Sequence, residues 1–367
     1  MVVDTGRSKW TAFVEAKVAT NQLEKAQVEE YLKLARDVGV DALITFSNQF
    51  APLPEHHPVH VDKRLLKKVE LYHFSWYAVL TMANLLRLNK EVEKEEHRYL
   101  LRELERFLLH PSAGLRRFDQ MCADWTTIVD RQRTGAPISK SSDEVAKVVA
   151  DWHSELRDLC LFLSRRTGAA VTVKLPPRHR NEPRDRLSDD AEELAKRGLL
   201  RATFNVPRLE SPIDVEADLT SRTTRISMTF RAPGDKAQQR SRVNWLLRQL
   251  KEVDGKSIQI ITNWPKRAAP TISTLEEARE DPDIHTHPAK DMLPTSFVVM
   301  QLMSDGRKFA GRKTFIESLE LLVGDFYTSV AETVVPWREP APRMRSAVEE
   351  KADPPETDDG FAADSEA

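Results

Sequence analysis

Apolar positions along the chain change period several times, and each change marks an element. Lys9 to Val18, KWTAFVEAKV, alternates as a half-buried strand does. In the Thr20-Asn21-Gln22-Leu23-Glu24 segment that follows, Asn21 can cap a helix and Glu24, three residues on, can close a capping box. That predicted helix runs to about Val38 and stops at Gly39, a residue free to adopt the left-handed conformation that ends helices. Asp41 to Ser47, DALITFS, is a second strand. Strand, helix and strand at this spacing make a βαβ crossover, so the two strands should be parallel. Upstream, Asp4-Thr5-Gly6-Arg7 reads as the turn of a hairpin joining Met1-Val2-Val3 to Lys9 onwards.

Residues 61–75, VDKRLLKKVELYHFS, read as a basic stretch with a short strand and loops. From Trp76 to about Gly168 the spacing is helical: Tyr99, Leu101, Leu104, Phe107 and Leu108 recur, then Val145, Val148, Val149, Trp152, Leu156, Leu159 and Cys160. Residues 176–186, PPRHRNEPRDR, read as a polar linker. Ile213–Leu219 and Thr224–Arg231 alternate as a hairpin. A basic helix is predicted over Lys236–Glu252, strands near 257–263 and 295–303, and a helix near 313–334. The predicted organisation is an α/β core over 1–75, a helical domain over 76–175, an α+β domain over 187–335 and a disordered acidic tail over 336–367.

Composition narrows the class without naming a partner. The 367 residues allow two or three domains at about 150 residues each. Only 12 glycines, about half the usual share, favour helix over a Gly-rich barrel. The net charge of −2 hides an asymmetry: residues 346–367 carry −7, leaving +5 on the rest. A mildly basic body is compatible with nucleic acid. Two cysteines, Cys122 and Cys160, cannot build a disulfide framework or a zinc ribbon and read as buried core. No signal-peptide pattern opens the chain, and its most apolar stretch, Trp76 to Leu86, is too short to span a bilayer. A cytoplasmic protein without a membrane partner is expected. No nucleotide-cradling glycine loop and no nucleophile elbow occurs.

The candidate chemistry lies in the first strand and the helix after it. Glu15 and Lys17 are two apart, so carboxylate and ammonium share a face with Phe13, while Val14 and Ala16 point the other way. Alone, the pair also reads as an edge-of-strand ion pair. Gln27 and Tyr31, four apart, share a helix face that the crossover lays back over the strand. A strand with Glu15-Ala16-Lys17, a helix with Gln-x-x-x-Tyr and an apolar strand together resemble the PD-(D/E)xK nuclease superfamily, and its RecB-type branch in particular, over about residues 1–50.

That resemblance implies a restriction-endonuclease-like core and hydrolysis of DNA phosphodiesters, in repair or in defence against foreign DNA. It implies Mg²⁺ or Mn²⁺ held by the Glu15 carboxylate and the Ala16 carbonyl, with Lys17 positioning water or stabilising transition-state charge. Gln27 and Tyr31 would orient the site or contact phosphates, and a homodimer is left open. The family's remaining acid belongs on the strand preceding Glu15, where only Asp4 is found. Hairpin register puts the residue facing Glu15 before Met1 and makes Asp4 a solvated turn residue. The expectation is an N-terminally incomplete core. The alternative is a catalytically inactive DNA-binding or assembly protein on a nuclease scaffold.

Other groups admit blander readings. Lys63, Arg64, Lys67 and Lys68 follow the core and are candidates for contact with the DNA backbone. Arg240, Arg242, Arg248 and Lys251 on the basic helix read as a solvated face or as phosphate contacts. His56, His57 and His60, like His285 and His287, could ligate a metal but read first as exposed loop histidines. Asp214, Glu216 and Asp218 could hold a metal but read first as the wet face of a hairpin, paired with Arg225 and Arg231.

Overall fold

The predicted hairpin forms from β1 (Val2–Asp4) and β2 (Lys9–Ala16) in the computed structural model, which describes residues 1–19, 21–49 and 57–338. Gly6 supplies the left-handed turn residue (φ 75°), and its N–H donates to Asp4 Oδ1 at 2.8 Å. α1 (Lys25–Val38) buries Val28, Leu32 and Ala35 on one face and ends at Gly39, whose N–H donates to the Ala35 carbonyl. Its start differs from expectation. The Asn21/Glu24 capping box does not form; Glu24 precedes the helix without a side-chain bond, and the Leu23 N–H donates instead to Gln49 Oε1 at 2.9 Å. A side chain from beyond the next strand thus takes over what local sequence offered.

β3 (Ala42–Ser47) pairs parallel with β2, and β4 (Glu70–Ser75) parallel with β3, giving a four-stranded sheet in the order β1-β2-β3-β4. α1 covers one face, where Leu23, Val28, Leu32, Ala35, Leu43 and Leu71 pack with Phe13 and Tyr31. On the other face Phe46 stacks on Phe74 and Trp76. Ser75 accepts from the Ala78 N–H and so turns β4 directly into α2 (Trp76–Leu88).

α2 packs with α3 (Glu95–Leu109) and with the long α5 (Asp143–Thr167) through Tyr77, Leu80, Leu108 and Leu161. α4 (Asp124–Thr134) lies between them in sequence. The predicted helical and α+β domains are not separate. Trp125 of α4 and Trp152 of α5 share one core with the strands that follow, running from Met121 to Val334. The 176–186 linker is helical instead: Pro177 opens α6 (Pro177–Asn181), and Pro183 opens α7 (Pro183–Arg197). A proline at the first helical position costs no hydrogen bond, so residues that look like punctuation here start helices. Its charges pair locally, Arg178 with Asp185 at 2.6 Å and His179 with Asp189 at 2.8 Å.

The second sheet has seven strands among the described residues, in the order β10-β9-β11-β8-β7-β6-β5, all neighbours antiparallel. They are β5 (Thr172–Val173), β6 (Leu199–Asn205), β7 (Ile213–Asp218), β8 (Thr223–Arg231), β9 (Ile258–Asn263), β10 (Thr271–Thr274) and β11 (Ser296–Ser304). α8 (Gln239–Gln249), α9 (Leu275–Glu280) and α10 (Arg312–Phe326) complete the layer, with α5 and α10 contributing to its core. Met1–Trp337 form one compact unit. The predicted acidic tail lies outside the described residues from Glu339 onward. No helix among the described residues is long and apolar enough to cross a membrane.

Candidate functional site

Four side chains predicted from strand and helix spacing meet on the α1 face of the first sheet. Lys17 Nζ lies 3.1 Å from Glu15 Oε1, with about a fifth of each side chain exposed (22% and 21%). From α1, Gln27 Nε2 donates to Tyr31 Oη at 3.1 Å and reaches Glu15 Oε1 at 3.5 Å. The carboxylate is therefore oriented by an ammonium from its own strand and an amide from the crossover helix. Tyr31 accepts from Gln27, which leaves its own proton available to donate. The end of β2 is pinned at Lys17, whose N–H donates to the Phe46 carbonyl at 2.8 Å and whose carbonyl accepts from Trp76 Nε1 at 2.7 Å.

The donor set falls short of a metal centre. Val2 faces Thr11, Val3 faces Trp10 and Asp4 faces Lys9, and the ladder ends where Met1 pairs with Ala12. No β1 residue faces Glu15, and Asp4 sits in its own turn. Mg²⁺ requires near-octahedral oxygen ligation. Here Glu15 and the Ala16 carbonyl would be the protein's ligands, and the carboxylate already contacts Lys17 and Gln27. Among the described residues Glu15 belongs to no group of three metal-capable side chains. These residues do not fit a resident metal by themselves.

A second polar group occupies the same face and was not legible as a site. Parallel register aligns Glu15 with Thr45 and Thr45 with His73, so the three lie in one row across β2, β3 and β4. Thr45 is fully buried, and its hydroxyl lies 2.9 Å from both His57 Nε2 and His73 Nδ1. His73 Nε2 is 2.8 Å from the Gln49 carbonyl, and the Val59 N–H donates to His57 Nδ1 at 3.0 Å. Hydrogen-bond accounting assigns the protons. His73 donates from Nε2 to the carbonyl, so its Nδ1 faces the Thr45 hydroxyl as an acceptor, beside the Tyr72 carbonyl to which that hydroxyl also donates at 3.1 Å. His57 then donates from Nε2 to Thr45 Oγ1. Every donor has a partner with both rings neutral. Burial lowers both histidines, His57 to about 4, with the neighbouring His73 and His60 adding to its shift. The reading of His57 as an exposed loop residue is thus corrected; His56 lies outside the described residues. Alternation in Leu71-Tyr72-His73 places the ring on the apolar face and was the available signal.

Lys63, Arg64, Lys67 and Lys68 are all exposed, around a single 3-10 turn (Leu65–Lys67). Leu65 packs in the same cluster as Tyr31 and Phe13, so the turn is seated on the α1 layer. The Asp62 N–H donates to Glu29 of α1 at 3.0 Å, fixing the approach.

The other candidate groups are accounted for structurally. Glu216 pairs with Arg201 at 2.6 Å and Arg225 at 2.5 Å, and Asp214 accepts from Thr203. Arg231 stacks on Trp337 rather than facing those acids. On α8, Arg240 pairs with Asp283, while Arg242 donates to the Lys236 and Pro294 carbonyls. His285, expected as an exposed loop residue, is instead fully buried and within hydrogen-bond reach of Thr262, Thr271 and Ser273. Cys160 is buried as expected, whereas Cys122 is only half-buried, and both thiols are free.

No protein-family model, curated protein or solved structure matches the chain.

Proposed function

We propose that this is a protein of the PD-(D/E)xK nuclease kind, acting on the phosphodiester backbone of DNA through the face that carries Glu15, Lys17, Gln27 and Tyr31. The observation that carries this reading is the meeting of all four groups across one βαβ crossover, joined by contacts of 3.1, 3.1 and 3.5 Å. The amine would take up phosphate charge, and the amide and phenol would hold the carboxylate and backbone in register. The exposed cations of the 3-10 turn extend the same layer towards a polyanion. A hydrolytic member requires Mg²⁺ or Mn²⁺, which the Glu15 carboxylate does not hold unaided.

One observation favours a second reading, a DNA-binding or assembly protein without hydrolysis: the Glu15 carboxylate is already engaged by Lys17 and Gln27. Incubation with plasmid DNA in Mg²⁺ or Mn²⁺, beside a binding measurement, separates the two. Nicking by the wild type that Lys17→Ala loses while staying folded supports the enzyme. Retention of DNA without nicking, weakened by the same change, supports the scaffold. A folded wild type that neither cuts nor binds DNA removes the proposal.

A further inference from the structure

A cluster of buried carboxylates lies between α5 and α10, away from the residues of the β2–α1 face. Glu155 and Asp158, three apart on α5, share a helix face, and Glu320 meets them from α10. One ligand oxygen from each lies within 4.8 Å of the others. Arg117 donates to Asp158 Oδ2 at 2.6 Å and to Glu320 Oε1 at 2.8 Å, and its guanidinium is held over Tyr77 and Phe162. Three carboxylates against one guanidinium leave two negative charges.

Glu155 decides what balances them. It has 0% exposure, and neither of its oxygens has a hydrogen-bond partner among the described residues. Asp158 is equally buried, but its carboxylate is met by Arg117 and by the Phe118 backbone. A buried carboxylate with both oxygens unpaired is costly unless a cation or a proton meets it. Three oxygens converge there, and Glu320, 27% exposed, leaves the cluster open to solvent on one side.

We infer that Glu155, Asp158 and Glu320 form a binding site for one hard divalent cation, which ties α5 to α10. Two oxygens on opposite sides of Ca²⁺ stand about 4.6–5.2 Å apart, against about 4.0–4.2 Å around Mg²⁺. The three carboxylate oxygens, all within 4.8 Å of one another, can meet around one such ion. The charge of −2 matches one divalent ion with Arg117 left in place, where it holds the outer oxygens of Asp158 and Glu320. Without the ion a proton must serve. Burial and the charges of Asp158 and Glu320 push Glu155 well above the usual carboxylate range.

Chelator-treated full-length protein, titrated with Ca²⁺ by calorimetry and with Mn²⁺ by electron paramagnetic resonance, tests the site. One ion is expected here, with a rise in melting temperature on adding Ca²⁺. Glu155→Gln, checked for folding by circular dichroism, removes a direct ligand and should weaken that ion by more than the roughly 10–100-fold typical of losing an outer-shell partner, and Glu15→Gln should leave it unchanged. Glu320→Gln, at the partly exposed ligand, reads the same loss if the Glu155 variant fails to fold. The inference is overturned by no binding at millimolar Ca²⁺ and Mn²⁺, or by binding that survives both substitutions at α5 and α10. It is also overturned if Glu155→Gln stabilises the protein and no ion binds the wild type, which would mark a buried proton.

Discussion

Gln27 and Tyr31, one turn apart on α1, are joined side chain to side chain by a 3.1 Å hydrogen bond. Gln27 spends its other contact on Glu15, so the phenol sets the direction in which the amide faces the carboxylate. Tyr31→Phe keeps the ring in its cluster with Phe13 and Leu65 and removes only the acceptor. The half-buried bond should be worth about 0.5–1.5 kcal/mol, read as a shift in urea midpoint at unchanged slope. No shift would show that the amide holds its place without the phenol.

Lys63, Arg64, Lys67 and Lys68 have a different signature, because none forms an ion pair among the described residues that DNA would have to break and all are exposed. Each phosphate neutralised contributes about 0.9 to the slope of log affinity against log salt. Replacing all four with alanine should lower that slope by up to about 3.6, with stability nearly unchanged. Fluorescence anisotropy of a labelled duplex across a salt series measures it. An unaltered slope would place DNA elsewhere on the protein.

What the sequence revealed and what it concealed follow from contact range. Glu15 with Lys17 and Gln27 with Tyr31 obey periods of two and four, and the crossover between β2 and β3 adds the one longer step. The Thr45–His73 contact depends on the β3–β4 register across an intervening loop, which no local pattern specifies. Arg117 with Glu320 requires two segments that meet only when α10 closes the second core. Pro177 and Pro183 misled for another reason: a proline stops one helix and starts the next by the same loss of an N–H. The shared core of Trp125, Trp152 and the second sheet likewise spans what composition divides into a helical part and a mixed part.

The neutral histidine pair makes stability sensitive to acid. Folding holds His57 at about 4, below the 6.5 of an unfolded histidine, and His73 is also lowered. Above pH 6.5 both states leave His57 uncharged, and it adds no pH dependence. As pH falls below 6.5 the unfolded chain takes up a proton that the folded protein refuses. Stability therefore declines down to about pH 4, where His57 protonates in the fold as well and its contribution levels off. The decline for this residue alone is at most about 1.4 kcal/mol per pH unit and about 3 kcal/mol in total. His285, also lowered to about 4 by burial, adds a parallel decline elsewhere in the molecule, so the wild-type profile cannot be assigned to one ring. His57→Gln separates them: its amide can still donate to Thr45 Oγ1 but does not titrate. Urea unfolding from pH 7 to pH 4 should show a shallower loss in this variant than in the wild type. Parallel profiles would mean that His57 takes up its proton in the folded state as readily as in the unfolded chain.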